Sequence, residues 1–162
     1  MRCQSPSEIR RWLSGQGMHH RPLESGVPLA GDFDMPLERR SRVHLANHVA
    51  DLMTKDGNKL VEVQPSPQAR AEEWEAFEQF RKRHGIERSP LDAPGHLFKS
   101  ADRDAFRMLV TMLLGFESKW SFYIYAAPSH STLLLNGRVG VWSPKKGLRN
   151  ELGRYLAQSE AA

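Results

Sequence analysis

Two apolar runs joined by Asn136-Gly137 limit the fold more than any other feature of this 162-residue chain. The runs are residues 133–135 and 139–142. Asn-Gly between such runs is the strongest short signal for a β-hairpin, because both residues accept the left-handed backbone of a type I′ turn. Immediately upstream, residues 120–127 alternate between two faces, as a half-buried strand does. The last third of the chain therefore predicts three strands joined in antiparallel order.

The remainder of the chain is divided by recognisable helix starts. Serine or aspartate caps, several of them followed by proline, predict helices over 5–15, 36–55, 66–84 and 100–115, and a closing helix that begins at Ser143-Pro144. A short alternating segment, Lys59–Gln64, predicts one further strand. Residues 16–34 contain prolines and glycines without apolar periodicity, so they predict a long irregular loop.

These elements predict an α+β fold in a single domain that spans residues 1–162. We expect a three- or four-stranded, mainly antiparallel sheet with a C-terminal β-hairpin, covered on one side by about five helices. Between Phe106 and Leu114 only Arg107 and Thr111 are polar. We therefore expect the fourth helix to be the most buried element.

Cysteine content and hydropathy bear on where such a chain works. The single cysteine, Cys3, allows no disulfide within the chain, which is typical of proteins from reducing compartments. No segment approaches the roughly 20 consecutive apolar residues of a membrane span, and the first residues carry arginines without an apolar leader. We expect a soluble, cytoplasmic protein that does not associate with membranes.

The charge distribution indicates an anionic partner. The net charge is +4, a mild excess, but basic residues outnumber acidic ones mainly at the two ends of the chain. Lys145 and Lys146 stand out because they fall in the predicted first turn of the closing helix, where cations oppose the helix dipole. The free backbone donors of that turn, the two lysines and the Ser143 hydroxyl together suit a phosphate or carboxylate. Arg138 and Arg149 can extend the patch.

Three aromatic residues of the predicted strands can complete a nucleic-acid surface. Tyr123, Tyr125 and Trp142 offer flat rings on which bases stack, provided that their face of the sheet is open. If that face is covered, the same rings belong to the core.

Histidines provide weaker candidates for other chemistry. His44 and His48 share a helical stripe with Asp51, and His19, His20, Asp32 or Asp34 could add metal ligands. The glutamate that a zinc-protease helix places between its two histidines is missing, so we predict no metal site.

Two further histidines could perform acid–base catalysis. His96 and His130 lie in predicted connections, with Lys99 or Arg138 as possible phosphate contacts of a ribonuclease. Neither histidine has a sequence neighbour that defines its role, and we name no catalytic residue and no cofactor.

These observations favour a non-enzymatic binding module for a polyanionic target, with nucleic acid as the preferred partner. The binding surface would be the basic C-terminal hairpin and helix, helped by the basic N-terminal helix. One alternative is a regulatory or inhibitor protein of the immunity type that binds an acidic protein surface. The other is a small histidine-dependent ribonuclease or metal hydrolase.

Overall fold

The computed structural model describes residues 1–54 and 57–160, which form five α-helices around one antiparallel sheet. The strands are β1 (Arg2–Gln4), β2 (Gly31–Asp34), β3 (Lys59–Gln64), β4 (Gly95–Phe98), β5 (Ser121–Ala126), β6 (Ser131–Leu135) and β7 (Arg138–Trp142). The helices are α1 (Pro6–Gly15), α2 (Arg39–Thr54), α3 (Ala71–Arg83), α4 (Arg103–Gly115) and α5 (Lys146–Glu160), and a short 3₁₀ turn, Ser100–Asp102, precedes α4.

The sheet has the strand order β1-β4-β3-β5-β6-β7-β2, and every neighbouring pair is antiparallel. Val61, Ile124, Leu133 and Val141 lie side by side across its four middle strands. The register follows from the side-chain alternation, because a slip of one residue would move each apolar set to the other face.

The expected fold class is confirmed, but the sheet has seven strands instead of three or four. The missed strands, β1, β2 and β4, contain only three or four residues each. Strands this short show too little alternation to be recognised, and β2 lies inside the segment predicted as loop 16–34. They are defined by the neighbouring strands to which they bond.

Four α-helices begin later than predicted, among them α4, which begins at Arg103 after the 3₁₀ turn and not at residue 100. Residues 66–69 form a turn closed by the Ala69 amide on the Ser66 carbonyl (3.0 Å), and α3 begins only at Ala71. Likewise α2 begins at Arg39 and α5 at Lys146. The predicted end of the second helix, at residues 55 and 56, lies outside the described residues. No helix in the described ranges is both long and apolar enough to span a membrane.

Both faces of the sheet are covered, whereas helices were expected on one side only. Helices α2 to α5 pack on one face and form the larger apolar core. On the other face Ile9 and Leu13 of α1 pack with Leu60, Tyr123 and other buried residues. The covering loop, residues 16–30, completes this second layer through Met18 and Val27.

Because of this double cover, the most buried element is a strand and not the fourth helix. Every residue of β6 is buried, whereas α4 exposes Arg103, Asp104 and Met108. A central strand loses solvent on both of its faces, but a helix in an outer layer keeps one exposed side.

Candidate functional site

Four cationic side chains lie just before α5, at its start and near its middle, and we call them the α5 row: Lys145, Lys146, Arg149 and Arg154. All four residues are exposed. Within the described residues none of them makes an ion pair with a carboxylate, although six other arginines do. Because α5 begins at Lys146, Lys145 precedes the helix and does not lie in its first turn as predicted.

Arg138 is not part of this row. Its guanidinium donates to Asp32 Oδ1 (2.9 Å) and Asp34 Oδ1 (2.6 Å) on the adjoining edge strand β2. Arg138 also begins β7, whereas Ser143 follows its end, so the two are about 16 Å apart along an extended strand. The two aspartates therefore neutralise Arg138 at a distance from the lysines.

The Ser143 hydroxyl already has partners inside the protein. It lies 2.9 Å from the Ser131 hydroxyl and accepts the Lys145 amide at 3.2 Å. These bonds form the turn that leads into α5. Of the predicted anion site, the structure therefore leaves the cations of the α5 row as the groups that can reach a ligand.

The aromatic rings proposed for base stacking lie in the interior. Tyr123, Tyr125 and Trp142 are 1%, 0% and 7% exposed, respectively. They belong to the sheet face beneath the covering loop, and Trp142 Nε1 donates to the Val27 carbonyl at 2.9 Å. The open sheet face that stacking requires is absent from the described structure, so these rings are core residues.

The two basic ends of the chain occupy opposite faces of the sheet. Arg10 and Arg11 are exposed on α1, which packs on the face of Tyr123 and Tyr125. Helix α5 packs on the other face, through Leu152 and Leu156. The N-terminal helix therefore cannot extend the α5 row into one continuous surface.

A buried polar cluster connects the covering loop to the centre of the sheet. The Glu62 side chain on β3 is 1% exposed. Its carboxylate accepts from Arg21 Nη2 (2.8 Å), His20 Nε2 (3.1 Å) and the Tyr125 hydroxyl (3.1 Å). Four donor groups in total reach its two oxygens, namely Arg21 Nε and Nη2, His20 Nε2 and the Tyr125 hydroxyl, so the buried carboxylate is well supplied with hydrogen bonds.

The backbone of the covering loop is shaped around this cluster. Arg21 has a left-handed backbone (φ 43°), which is rare for a non-glycine residue, and its amide donates to the Tyr125 hydroxyl at 3.1 Å. Burial raises the pKa of Tyr125, and the neighbouring Glu62 charge adds to that effect. Because Glu62 and Tyr125 are buried and their hydrogen bonds are internal, we interpret the cluster as a fastening of the loop and not as a reaction centre.

The candidate metal ligands do not come together. His20 binds Glu62, the His48 ring stacks on Tyr155 (centroids 4.2 Å apart), and Asp51 pairs with Arg107. His19 and His44 are exposed. Among the described residues, no three His, Cys, Asp or Glu side chains form a group that could hold a metal ion.

The candidate acid–base histidines lie in different environments. His96 is 0% exposed and accepts from Arg81 Nη1 at 2.8 Å. Burial, reinforced by the Arg81 charge, lowers its pKa to about 3. From this position His96 cannot reach a substrate. His130 is exposed and closes the turn before β6 with a left-handed backbone (φ 50°), and Lys99 is exposed at the end of β4.

Comparison of the chain with protein-family models, with curated proteins and with solved structures finds no match. The α5 row is accessible, and its cations can contact anionic oxygens.

Sequence reasoning missed the roles of Arg21 and Glu62. Glu62 lies between Val61 and Val63, and alternation places it on the face opposite those valines. A glutamate in the middle of a predicted strand, combined with a long loop that carries His20-Arg21, was the available signal. It could be interpreted only once the second sheet face was known to be covered.

Proposed function

We propose that the protein is a non-enzymatic binding module for a polyanion, with nucleic acid as the preferred target, and that the α5 row makes the contact. The observation that supports this proposal is that all four cations of the row are exposed and, within the described residues, have no carboxylate partner. Unpaired cations near a helix start are favourably placed to meet phosphate oxygens.

The surroundings of the row favour one mode of binding. Phosphate contacts give affinity without sequence information, whereas stacking and base-edge contacts give specificity. Because Tyr123, Tyr125 and Trp142 are buried, these three rings cannot stack on the bases of a nucleic acid bound by the row. We therefore expect sequence-independent binding that weakens steeply with salt and is as strong for duplexes as for single strands.

The test is a titration of a fluorescent duplex of about 20 base pairs between about 50 and 200 mM salt. Up to four phosphate contacts predict a slope of log affinity against log salt of about −3 to −4. The double variant Lys146→Glu/Arg149→Glu should reduce the magnitude of that slope by about two and weaken binding at every salt concentration.

Arg10→Glu/Arg11→Glu is a matched control, because it makes the same change in net charge at exposed positions on the opposite face of the sheet. It should leave the slope close to that of the parent. Equal losses in the two variants would show that only net charge matters. A parent protein that fails to bind any nucleic acid at about 50 mM salt would refute the proposal.

An acidic protein surface is the second candidate partner. It is favoured by the burial of Tyr123, Tyr125 and Trp142, since a cationic helix without these stacking surfaces can meet a carboxylate patch as readily as phosphates. A specific protein partner would give one saturable affinity that depends on its identity, while nucleic acids of any sequence would bind weakly or not at all. An acid–base enzyme has less support, because His96 is buried and His20 is engaged by Glu62.

A further inference from the structure

An apolar cleft lies at the end of the sheet farthest from the start of α5. It has a volume of about 70 Å³, is partly open to solvent, and lies between residues 35–37, Leu113 and Leu114 at the end of α4, Phe116, and Leu135 at the end of β6. Small-molecule sites are typically larger, so this cleft can receive one side of a small ligand and leaves the rest in solvent; its lining is apolar with a few polar groups, as in such sites. Leu37 at its edge is 89% exposed, the highest value among the exposed large hydrophobic residues described.

The charged groups of the cleft are all positive. Arg42 and Lys119 line it, and no carboxylate does so among the described residues. Arg42 donates to the carbonyls of Leu37 and Leu114, which holds residues 35–37 against the end of α4. Lys119 is exposed and makes no ion pair within the described part of the chain. The cleft therefore complements an apolar molecule that carries one negative charge.

The wall that carries Lys119 is held in place by a buried carboxylate. Glu73 accepts the amides of Glu117 (2.8 Å) and Ser118 (3.1 Å) and the indole N–H of Trp120 (3.1 Å). Burial works against ionisation, yet the donors at Ser118 and Trp120 hold the pKa of Glu73 below its ordinary value. The cleft is thus formed before any ligand arrives, which lowers the entropic cost of binding.

Lys119 itself occupies an unfavourable backbone region. Its φ of 46° lies in the left-handed range, where glycine would be less strained. A strained position held by its surroundings is a feature that often accompanies ligand sites. Lys119 thus brings a cation to the apolar wall from a backbone position that a glycine would occupy with less strain.

We infer that this cleft binds a small carboxylate with an apolar body, with Lys119 pairing with the carboxylate and the leucine-lined wall receiving the body. The site is separate from the α5 row, and it does not depend on the polyanion proposal. Charge-assisted hydrogen bonds and burial of the apolar body would provide the affinity.

The test uses naphthalene-2-carboxylate as the probe and its neutral alcohol, naphthalene-2-methanol, as the comparison, both titrated by backbone-amide NMR. We expect saturable binding of the carboxylate with a Kd of about 1 mM or tighter, shifts centred on Leu37, Leu114 and Lys119, and weaker binding of the alcohol. Lys119→Gly suits the left-handed backbone, so the fold should be retained while carboxylate affinity falls about five- to tenfold and alcohol affinity stays unchanged.

Two further variants separate this inference from the polyanion proposal. Leu37→Asp places a negative charge at an exposed position on the cleft edge and should weaken the carboxylate more than the alcohol. Lys146→Glu/Arg149→Glu should leave both probes unaffected. The inference is overturned by any of three results: no saturable shift up to about 5 mM probe, shifts centred on α5, or equal carboxylate and alcohol affinities that Lys119→Gly does not change.

Discussion

Glu62 holds the fifteen-residue covering loop on the sheet. Its carboxylate is buried, so its hydrogen-bond and charge partners must come from the segments that pack directly on it. Its side chain is 1% exposed, and two of its three partners, His20 and Arg21, belong to the covering loop. An uncompensated buried charge is very costly, whereas a hydrogen-bonded ion pair is tolerated. The pairing of Glu62 with His20 and Arg21 therefore holds the loop on the sheet.

Glu62→Gln should destabilise the protein by about 1–3 kcal/mol, because the buried hydrogen bonds to Arg21 and His20 lose their charged acceptor. Urea unfolding measures the loss, and limited proteolysis should show faster cleavage within residues 16–30. Glu24→Gln is the matched control, since Glu24 lies 3.5 Å from the same arginine but is 55% exposed. It should cost less than about 0.5 kcal/mol. Similar losses in both variants would contradict this role of Glu62.

His96 and Arg81 form a second buried contact, beneath α3. Arg81 is 2% exposed and donates to the carbonyls of Ala93 (3.0 Å) and Arg88 (2.6 Å) as well as to His96. The imidazole must stay neutral to accept from a guanidinium, and burial lowers its pKa from 6.5 to about 3. Folding therefore excludes a proton that the unfolded chain would bind.

The stability of the protein should fall by about 2 kcal/mol between pH 7.5 and pH 5 because of His96. The lowered pKa means that this contribution is complete above about pH 6.5 and is lost as the pH falls toward about 3. Carboxylates with lowered pKa values, such as Glu73, change the free energy of unfolding only at a pH below this interval. In His96→Gln the difference between unfolding free energies at the two pH values should shrink by that amount, whereas His44→Gln, at an exposed histidine, should keep it. A parent protein of equal stability at both pH values would refute the assignment.

At the scale of elements, α4 shows how an apolar run is divided between core and solvent. Leu109 is 0% exposed and Met108, its neighbour on the same helix, is 52% exposed. The sequence shows both as apolar residues in one run, but only one of them faces α2 and the sheet.

Leu109→Ala should destabilise the protein by about 2–5 kcal/mol, because it removes a fully buried side chain and leaves a cavity. Met108→Ala, one residue earlier, should cost less than about 1 kcal/mol, since half of its surface is already in water. Chemical denaturation of the two variants measures the difference. A loss below about 1 kcal/mol for Leu109→Ala would show that α4 contributes less to the core than its burial indicates.

The short strands form only because they hydrogen-bond to neighbouring strands of the sheet. In β1, Cys3 pairs with His96 of β4, and in β2, Phe33 pairs with Val139 of β7. Strands this short have little intrinsic preference for the extended conformation, since an isolated pair of them is only marginally stable in water. They close the two edges of the sheet with few exposed backbone groups.

At the scale of the whole molecule, the sheet is the middle layer of three. Helices α2 to α5 cover one face, and α1 with the covering loop covers the other. Strands β5 and β6 have a neighbour on each side as well as cover on each face. Their backbone can meet solvent only when the whole molecule opens.

Native-state hydrogen exchange should therefore find the slowest amides in β5 and β6, with exchange free energies equal to that of global unfolding. Residues 16–30 should exchange faster, and Glu62→Gln should accelerate them selectively. If the slowest amides lay in α2 or α4 while β5 and β6 exchanged through smaller openings, the three-layer description of stability would be wrong.

Much of the architecture could be predicted from local patterns. Helix caps and apolar periodicity identified five helices, and the Asn136-Gly137 turn with its flanking runs identified the hairpin of β6 and β7. These features are local, because a cap or a turn involves residues a few positions apart and its energetics act within that segment. Local patterns are thus sufficient to predict the fold class and the order of the longer helices and strands.

The candidate sites depended on partners that are distant in sequence. Whether Tyr123 stacks on a ligand or lies in the core depends on a loop a hundred residues away, and Arg138 is neutralised by Asp32 and Asp34 from β2. The placement of the two basic ends on opposite faces of the sheet likewise depends on segments that are distant in sequence. Burial and ion pairing are properties of an environment, and this environment forms only when the sheet brings separate segments within a few ångströms of one another.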